Sequence, residues 1–295
     1  MEFKIASKQI DDLKRTILNK EKVMLRGLQD AERAFLLSQL NNRFLYVATS
    51  YNKAKIIEKQ LVSCGKSVQV INQVVEPLTY EASINDALME ILKGLSRFIQ
   101  GGVDALIITP EVLLQKLPTK NVFLEHCIKL NKGETYDYLS LKSALLNLGY
   151  KKVEKVENEN EFASRGDILD VFPIGDKCAY RLDFWGNELE SIKSIDLTAY
   201  TSVNDVDKLS VFPCTFNLGK LIDDISFLSD KSEIIDKIDN GIKDNSLIFA
   251  LPAYSEFNSN FISWFSDSLI VVEEPKRLYD ALNDLSFKFT NDLIR

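Results

Sequence analysis

Short apolar runs recur along the first part of this chain, separated by stretches of helical period. That alternation constrains the fold more than any other feature. Phe44 to Thr49, Ser67 to Ile71 and Asp104 to Thr109 are apolar and of strand length, and Val23 to Leu28 reads as a further short strand. Between them, Asp30 is placed to cap a helix with Phe35, Leu36 and Leu40 inward. A second helix runs from about Asn52 and stops at Gly65, and Ile84 to Phe98 is amphipathic up to Gly101-Gly102. Pro110 opens a short helix at a favoured first position. Strands apolar on both faces, alternating with helices, predict a parallel sheet covered on both sides.

The pattern changes near Asn121. Strands dominate up to Phe212, interrupted by one clear helix from Ser140 to Leu148 that Gly149 ends. Arg181 to Trp185 alternates, Gly186-Asn187 signals a tight turn, and Glu188 to Ile195 returns. After Cys214 the first pattern resumes, with strands at Ser246 to Leu251 and Ser268 to Val272, a helix at Phe257 to Phe265, and a last helix opened by Pro275. The expected architecture is α/β. Residues 1–120 and 214–295 form one parallel-sheet domain, interrupted by an inserted α+β domain with antiparallel strands at 121–213. The chain reaches Arg295 without a domain-ending signal, so a piece of a longer protein is expected.

Composition narrows the function. Of 295 residues, 45% are hydrophobic and 27% charged, enough to bury a sizeable core. The formal net charge of -7 disfavours non-specific binding to phosphate backbones. Cys64, Cys127, Cys178 and Cys214 are scattered and contain no CxxC pair, which fits reduced thiols of a cytoplasmic protein. Met1 to Lys4 opens without an apolar signal core, and no apolar run approaches the roughly 20 residues of a membrane span.

Enzymatic signals are thin. A phosphate-binding loop would follow an early strand as Gly, four residues, then Gly-Lys-Ser/Thr. Here Gly27 is followed by Leu28, Gln29, Asp30 and Ala31, then Glu32, Arg33 and Ala34. Glu32 replaces the second glycine and puts a negative charge at a helix N-terminus, where an anion would bind. Ala34 lacks the hydroxyl that would hold magnesium. The expectation is a degenerate NTPase-like fold without a nucleotide. His126 is the only histidine, so neither a His pair for metal nor a Ser-His-Asp triad is supported. Asp167 and Asp170, three apart, would point to opposite faces of a regular strand.

The segment from Glu161 to Pro173, followed by Tyr180 to Ile192, is distinctive. Tyr180, Leu182 and Phe184 share one strand face, and Arg181, Asp183 and Trp185 share the other. The first set is core material. The second puts an arginine and an indole on one face, the residue types enriched at interface hot spots. The competing reading is an Arg181–Asp183 surface pair beside a half-covered indole, and physics alone weighs the two equally.

Gly166-Asp167-Ile168-Leu169-Asp170-Val171-Phe172-Pro173, Tyr180-Arg181-Leu182-Asp183-Phe184-Trp185 and Glu188-Leu189-Glu190-Ser191-Ile192 closely resemble the bacterial transcription-repair coupling factors and, more distantly, UvrB. Thr109 to Pro118 and Gly149-Tyr150 are similar to other stretches of that family. The resemblance implies a UvrB-like module whose inserted domain binds UvrA, recruiting excision repair to a stalled RNA polymerase. It carries over Arg165, Arg181 and Trp185 as UvrA-contacting positions; the last is commonly Phe in the family. Asn160 stands where the family usually has Gly. No cofactor is expected in this chain, because the family's ATP- and magnesium-dependent motor, and its RNA polymerase and DNA contacts, lie further along. The alternative is a DNA-contacting UvrB-like repair domain, or else a working NTPase.

Overall fold

The computed structural model describes residues 7–19, 22–73, 81–215 and 259–294. The chain divides into two compact units. One comprises Met1–Val74, Phe98–Gln115 and Asn260–Arg295; the other comprises Val75–Arg97 and Lys116–Ser259. The first unit thus leaves the chain at Val74 and takes it up again at Phe98, so the stretch expected as an unbroken 1–120 includes residues of the second unit. The expected strand at Ser246 to Leu251 lies outside the described residues.

The first unit is built on a four-stranded sheet: β1 (Phe44–Val47), β2 (Val68–Ile71), β3 (Ala105–Ile108) and β12 (Leu269–Val272), in the order β12-β1-β3-β2. All three pairings are parallel. Its helices are α1 (Ser7–Leu18), α2 (Asp30–Ser38), α3 (Tyr51–Ser63), α5 (Pro110–Leu113), α8 (Phe261–Trp264) and α9 (Pro275–Ile294). The strands β1 and β3 are buried along their whole length, which explains their unbroken apolar sequence. Phe44, Tyr46, Ala105 and Ile107 form one core with Ala34, Leu37 and Leu40 on the α2 side and Ala54, Ile57 and Leu61 of α3. Ser50 caps α3 by accepting the Lys53 amide N–H, and the chain leaves that helix through Gly65.

Two expectations for this unit are corrected. Residues 23–28 form no strand: Val23, Met24 and Leu25 are 41%, 68% and 50% exposed, and β12 takes the place beside β1 instead. An apolar run needs a partner edge to become a strand, and among the described residues this one pairs with none. The cap of α2 is Gln29, not Asp30. Its amide N–H donates to the Glu32 carboxylate at 2.9 Å, and Asp30 lies inside the first turn.

The second unit holds α4 (Glu81–Ile99) up to Arg97, then α6 (Lys120–Glu125), β4 (Ile128–Asn131) and α7 (Tyr138–Asn147). There follow β5 (Lys151–Lys152), β6 (Glu161–Arg165), β7 (Ile168–Phe172), β8 (Ala179–Trp185), β9 (Glu188–Asp196), β10 (Thr201–Val206) and β11 (Lys208–Val211). Strands β5 to β10 form one sheet in the order β10-β9-β8-β7-β6-β5, antiparallel except for the β5–β6 pair. Strands β4 and β11 form a separate antiparallel pair. Asp137 caps α7 by accepting the amide N–H groups of Leu139 and Ser140. At its other end the Gly149 N–H donates to Leu146 and the Tyr150 N–H to Leu145, a left-handed helix stop. The fold is therefore mixed α/β, with one parallel sheet and separate antiparallel sheets. Among the described residues no helix is long and apolar enough to cross a membrane.

Gly149 has φ +91, and a Cβ built there would lie 2.5 Å from the Thr215 side chain. Gly149→Ala should therefore lower stability by about 2 kcal/mol or more, read from the midpoint of chemical denaturation at unchanged slope.

Candidate docking face

The six-stranded sheet presents two faces with different fates. Phe162, Leu169, Val171, Leu182, Phe184, Leu189 and Ile192 occupy one, and all are buried. Tyr138, at the start of α7, lies edge-on to Phe184 with ring centroids 5.2 Å apart. Register places Arg165 opposite Ile168, Ile168 opposite Asp183, and Asp183 opposite Ser191 on the other face. Two residues along, Ala163, Asp170, Arg181 and Lys193 form the next row.

This second face changes character along its length. At one end Ala163, Phe172, Ala179 and Ile195 form a small core with Val156, joined by Val153, Leu197 and Tyr200. In the middle lies an ionic layer. Arg181 donates from Nε and Nη2 to the two Asp170 oxygens, both at 2.8 Å. Tyr200 donates its hydroxyl to Asp170 at 2.9 Å. Asp183 accepts from Ser191 at 2.6 Å and from Lys193 at 3.1 Å. At the far end the face is open. Arg165 is exposed, Ile168 is 37% exposed, and Trp185 is 74% exposed next to the Gly186-Asn187 turn.

The electrostatics follow from these bonds. The Asp170 hydrogen bond holds the Arg181 guanidinium above its ordinary range, against the opposing effect of burial. Burial works to raise the Asp183 carboxyl, but hydrogen bonds from Ser191 and Lys193 outweigh it and keep it low. Burial and the bond to Asp170 push the Tyr200 phenol up.

The three residues expected on the site therefore share a face but not a condition. Arg165 and Trp185 are open to a partner. Arg181 is largely committed, with a side chain 22% exposed against 8% for Asp170. The Arg181–Asp183 surface pair weighed from sequence does not form; Asp183 goes to Lys193, and Arg181 to Asp170. Asp170 and Tyr200 were not legible as part of the site. The pairing of Asp170 with Arg181 follows once β7 and β8 are registered, but nothing local marks Tyr200. Asn160, with φ +62, holds the left-handed conformation that asparagine tolerates better than most residues, which is how it stands in for glycine.

In the first unit, several polar groups that follow Gly27 pair with other side chains. Arg33 donates to the Tyr46 hydroxyl at 2.9 Å and to Glu273, and Thr49 donates to Glu273 from both its amide and its hydroxyl. Asp30 pairs with Lys53 at 3.1 Å. Ala34 is fully buried in the core. Beyond the carboxyl ends of the parallel strands, where open α/β sheets hold ligands, a shallow depression is lined by Thr49, Ser50, Tyr51, Thr109, Glu111 and Asp284. Its charged groups are carboxylates, ill suited to phosphate. His126 closes α6, its Nδ1 2.8 Å from the Val122 carbonyl. Among the described residues no cluster of His, Cys, Asp and Glu could hold a metal.

Removing one partner of a buried pair strands the other. Arg181→Ala should cost about 3 kcal/mol of stability, whereas exposed Arg165→Ala should stay within about 0.5 kcal/mol, both read by denaturant unfolding.

Residues 128–216 match the UvrB interaction domain family. The chain is 29% identical over 216 residues to a transcription-repair-coupling factor of Helicobacter pylori (strain J99), covering 70% of this chain and 21% of that protein. It is 28% identical over 204 residues to that of Borreliella burgdorferi, 64% of this chain and 17% of that protein. It is also 27% identical over 132 residues to the UvrABC system protein B of Thermotoga neapolitana, 45% of this chain and 20% of that protein. The matched stretches thus span about a fifth of these relatives. The chain is thus similar over up to 70% of its length to transcription-repair-coupling factors, and its residues 128–216 match the UvrB interaction domain family.

Proposed function

We propose that this chain is a UvrA-recruiting adaptor of transcription-coupled nucleotide excision repair and carries out no catalysis itself. The observation that carries the reading is the open end of the second sheet face. Trp185 stands 74% exposed there, on the same face as exposed Arg165, on a sheet whose opposite face buries Phe162, Leu169, Leu182 and Phe184. An indole held in water on a rigid strand offers a large contact area at low entropic cost, and an adjacent guanidinium adds directional donors. These residues lie inside the stretch that matches the UvrB interaction domain, and proteins similar to this chain are named for transcription–repair coupling and for the UvrABC system. The family resemblance supplies UvrA as the partner.

The same reading takes the first unit as a degenerate NTPase-like scaffold. Arg33, the only cation of the broken loop, is engaged by Tyr46 and Glu273, and Ala34 is core. ATP and magnesium, like RNA polymerase and DNA, then belong to other parts of a longer protein. The net charge of -7 weighs against a DNA-contacting role for this chain.

Purified UvrA should bind the chain in titration calorimetry. Trp185→Ala should weaken binding by about 2 kcal/mol, some thirtyfold, and Arg165→Ala by a smaller amount. Binding that both variants leave untouched would place the interface elsewhere; binding to duplex DNA that collapses with added salt would favour the DNA-contacting reading.

A further inference from the structure

Arg181 is the most over-determined side chain of the docking face. Two of its nitrogens grip Asp170 at 2.8 Å, in the bidentate geometry that fixes both distance and plane. Asp170 is in turn anchored by the Tyr200 hydroxyl at 2.9 Å, and the Tyr200 ring lies 5.4 Å from the guanidinium carbon. Tyr200 therefore touches both members of the pair, one through its hydroxyl and one through its ring. Its hydroxyl also accepts the Val156 amide N–H at 3.4 Å, and the Lys155 ammonium sits over the same ring at 4.7 Å.

The backbone of Tyr200 has φ +55, a left-handed conformation unusual for an aromatic residue. Such a conformation persists only where the surroundings over-determine it, and it gathers at sites with a task. The brace leaves one edge of the guanidinium unused. The Arg181 Nη1 group takes no hydrogen bond among the described residues, and the side chain keeps 22% exposure. Lys193, directly opposite Arg181, is drawn to Asp183 and does not compete for Asp170.

We infer that Tyr200 and Asp170 are positioning residues, which hold the Arg181 guanidinium in one orientation so that its unused edge meets a paired acceptor on the partner, a carboxylate or backbone carbonyls. The inference rests on the docking role proposed above and adds the chemistry of one contact. An arginine fixed beforehand loses little rotamer freedom on binding, so affinity is gained without any new contact. Tyr200 and Asp170 then influence binding only through Arg181.

Two measurements on the full chain test this. The first needs no partner: the Arg181 Nε–H should give a resolved, slowly exchanging nitrogen-15 resonance. Tyr200→Phe, or Asp170→Asn should the first variant misfold, should speed its exchange about tenfold or more while circular dichroism stays native. The second is a double-mutant cycle with UvrA. Tyr200→Phe should weaken binding about fivefold in the wild-type background and not at all in the Arg181→Ala background. An Nε–H unaffected by Tyr200→Phe overturns the positioning role and leaves the docking role standing. An equal loss of affinity in both backgrounds shows that Tyr200 acts apart from Arg181 and likewise overturns it. Absence of UvrA binding by the wild-type chain overturns the docking role, and this inference with it.

Discussion

Register in the six-stranded sheet is the constraint on which the docking face depends. Side chains alternate between faces along a strand, so a slip of one residue would send Arg181 and Trp185 into the core and bring Leu182 and Phe184 into water. The slip is prevented locally. Gly186 has φ +59, and with Asn187 it closes the β8–β9 hairpin in two residues; Gly166-Asp167 closes β6–β7 the same way. It is also opposed by the Asp170–Arg181 pair, which forms only in this register. One pairing thus sets the buried face and the exposed one together.

The ionic layer is a compromise between burial and solubility. Phe172, Ala179 and Ile195 at one end of the face are closed over as a small core, while Trp185 at the other end stays open. Between them every charge has an opposite partner: Asp170 with Arg181, Asp183 with Lys193. The first unit uses the same device where Arg33 bonds to Glu273, 240 residues away in sequence. There it ties the start of α2 to the end of β12. In both units charge is spent on holding strands and helices in place; on the docking face Arg165 and Trp185 are left open, and Arg181 keeps one edge of its guanidinium unused.

Much of this was legible from sequence because it rests on period. The parallel strands β1, β2 and β3, the Gly149 helix stop, the Gly186-Asn187 turn and the sharing of a face by Arg181 and Trp185 are all local patterns. The expected strand at 23–28 failed because strand formation is decided by a partner edge, which no local pattern specifies; it is β12, far along the chain, that pairs with β1. The true partner of Arg181 escapes local reading for the same kind of reason. Its partner Asp170 lies on another strand, and Tyr200 reaches both from a loop beyond β9. Contacts that depend on register and on loop return are invisible until the sheet is assembled, whereas the exposure of Trp185 follows from alternation and a strand end.

The central claim is that Trp185 is the group a partner covers. The chain has two tryptophans, and the other, Trp264, is 5% exposed. With 5-fluorotryptophan in this chain alone, fluorine-19 spectra separate the two, and Trp185→Phe assigns them. On addition of UvrA the Trp185 resonance should shift and broaden while that of Trp264 stays put. Formation of a complex with the Trp185 resonance unmoved would contradict the account.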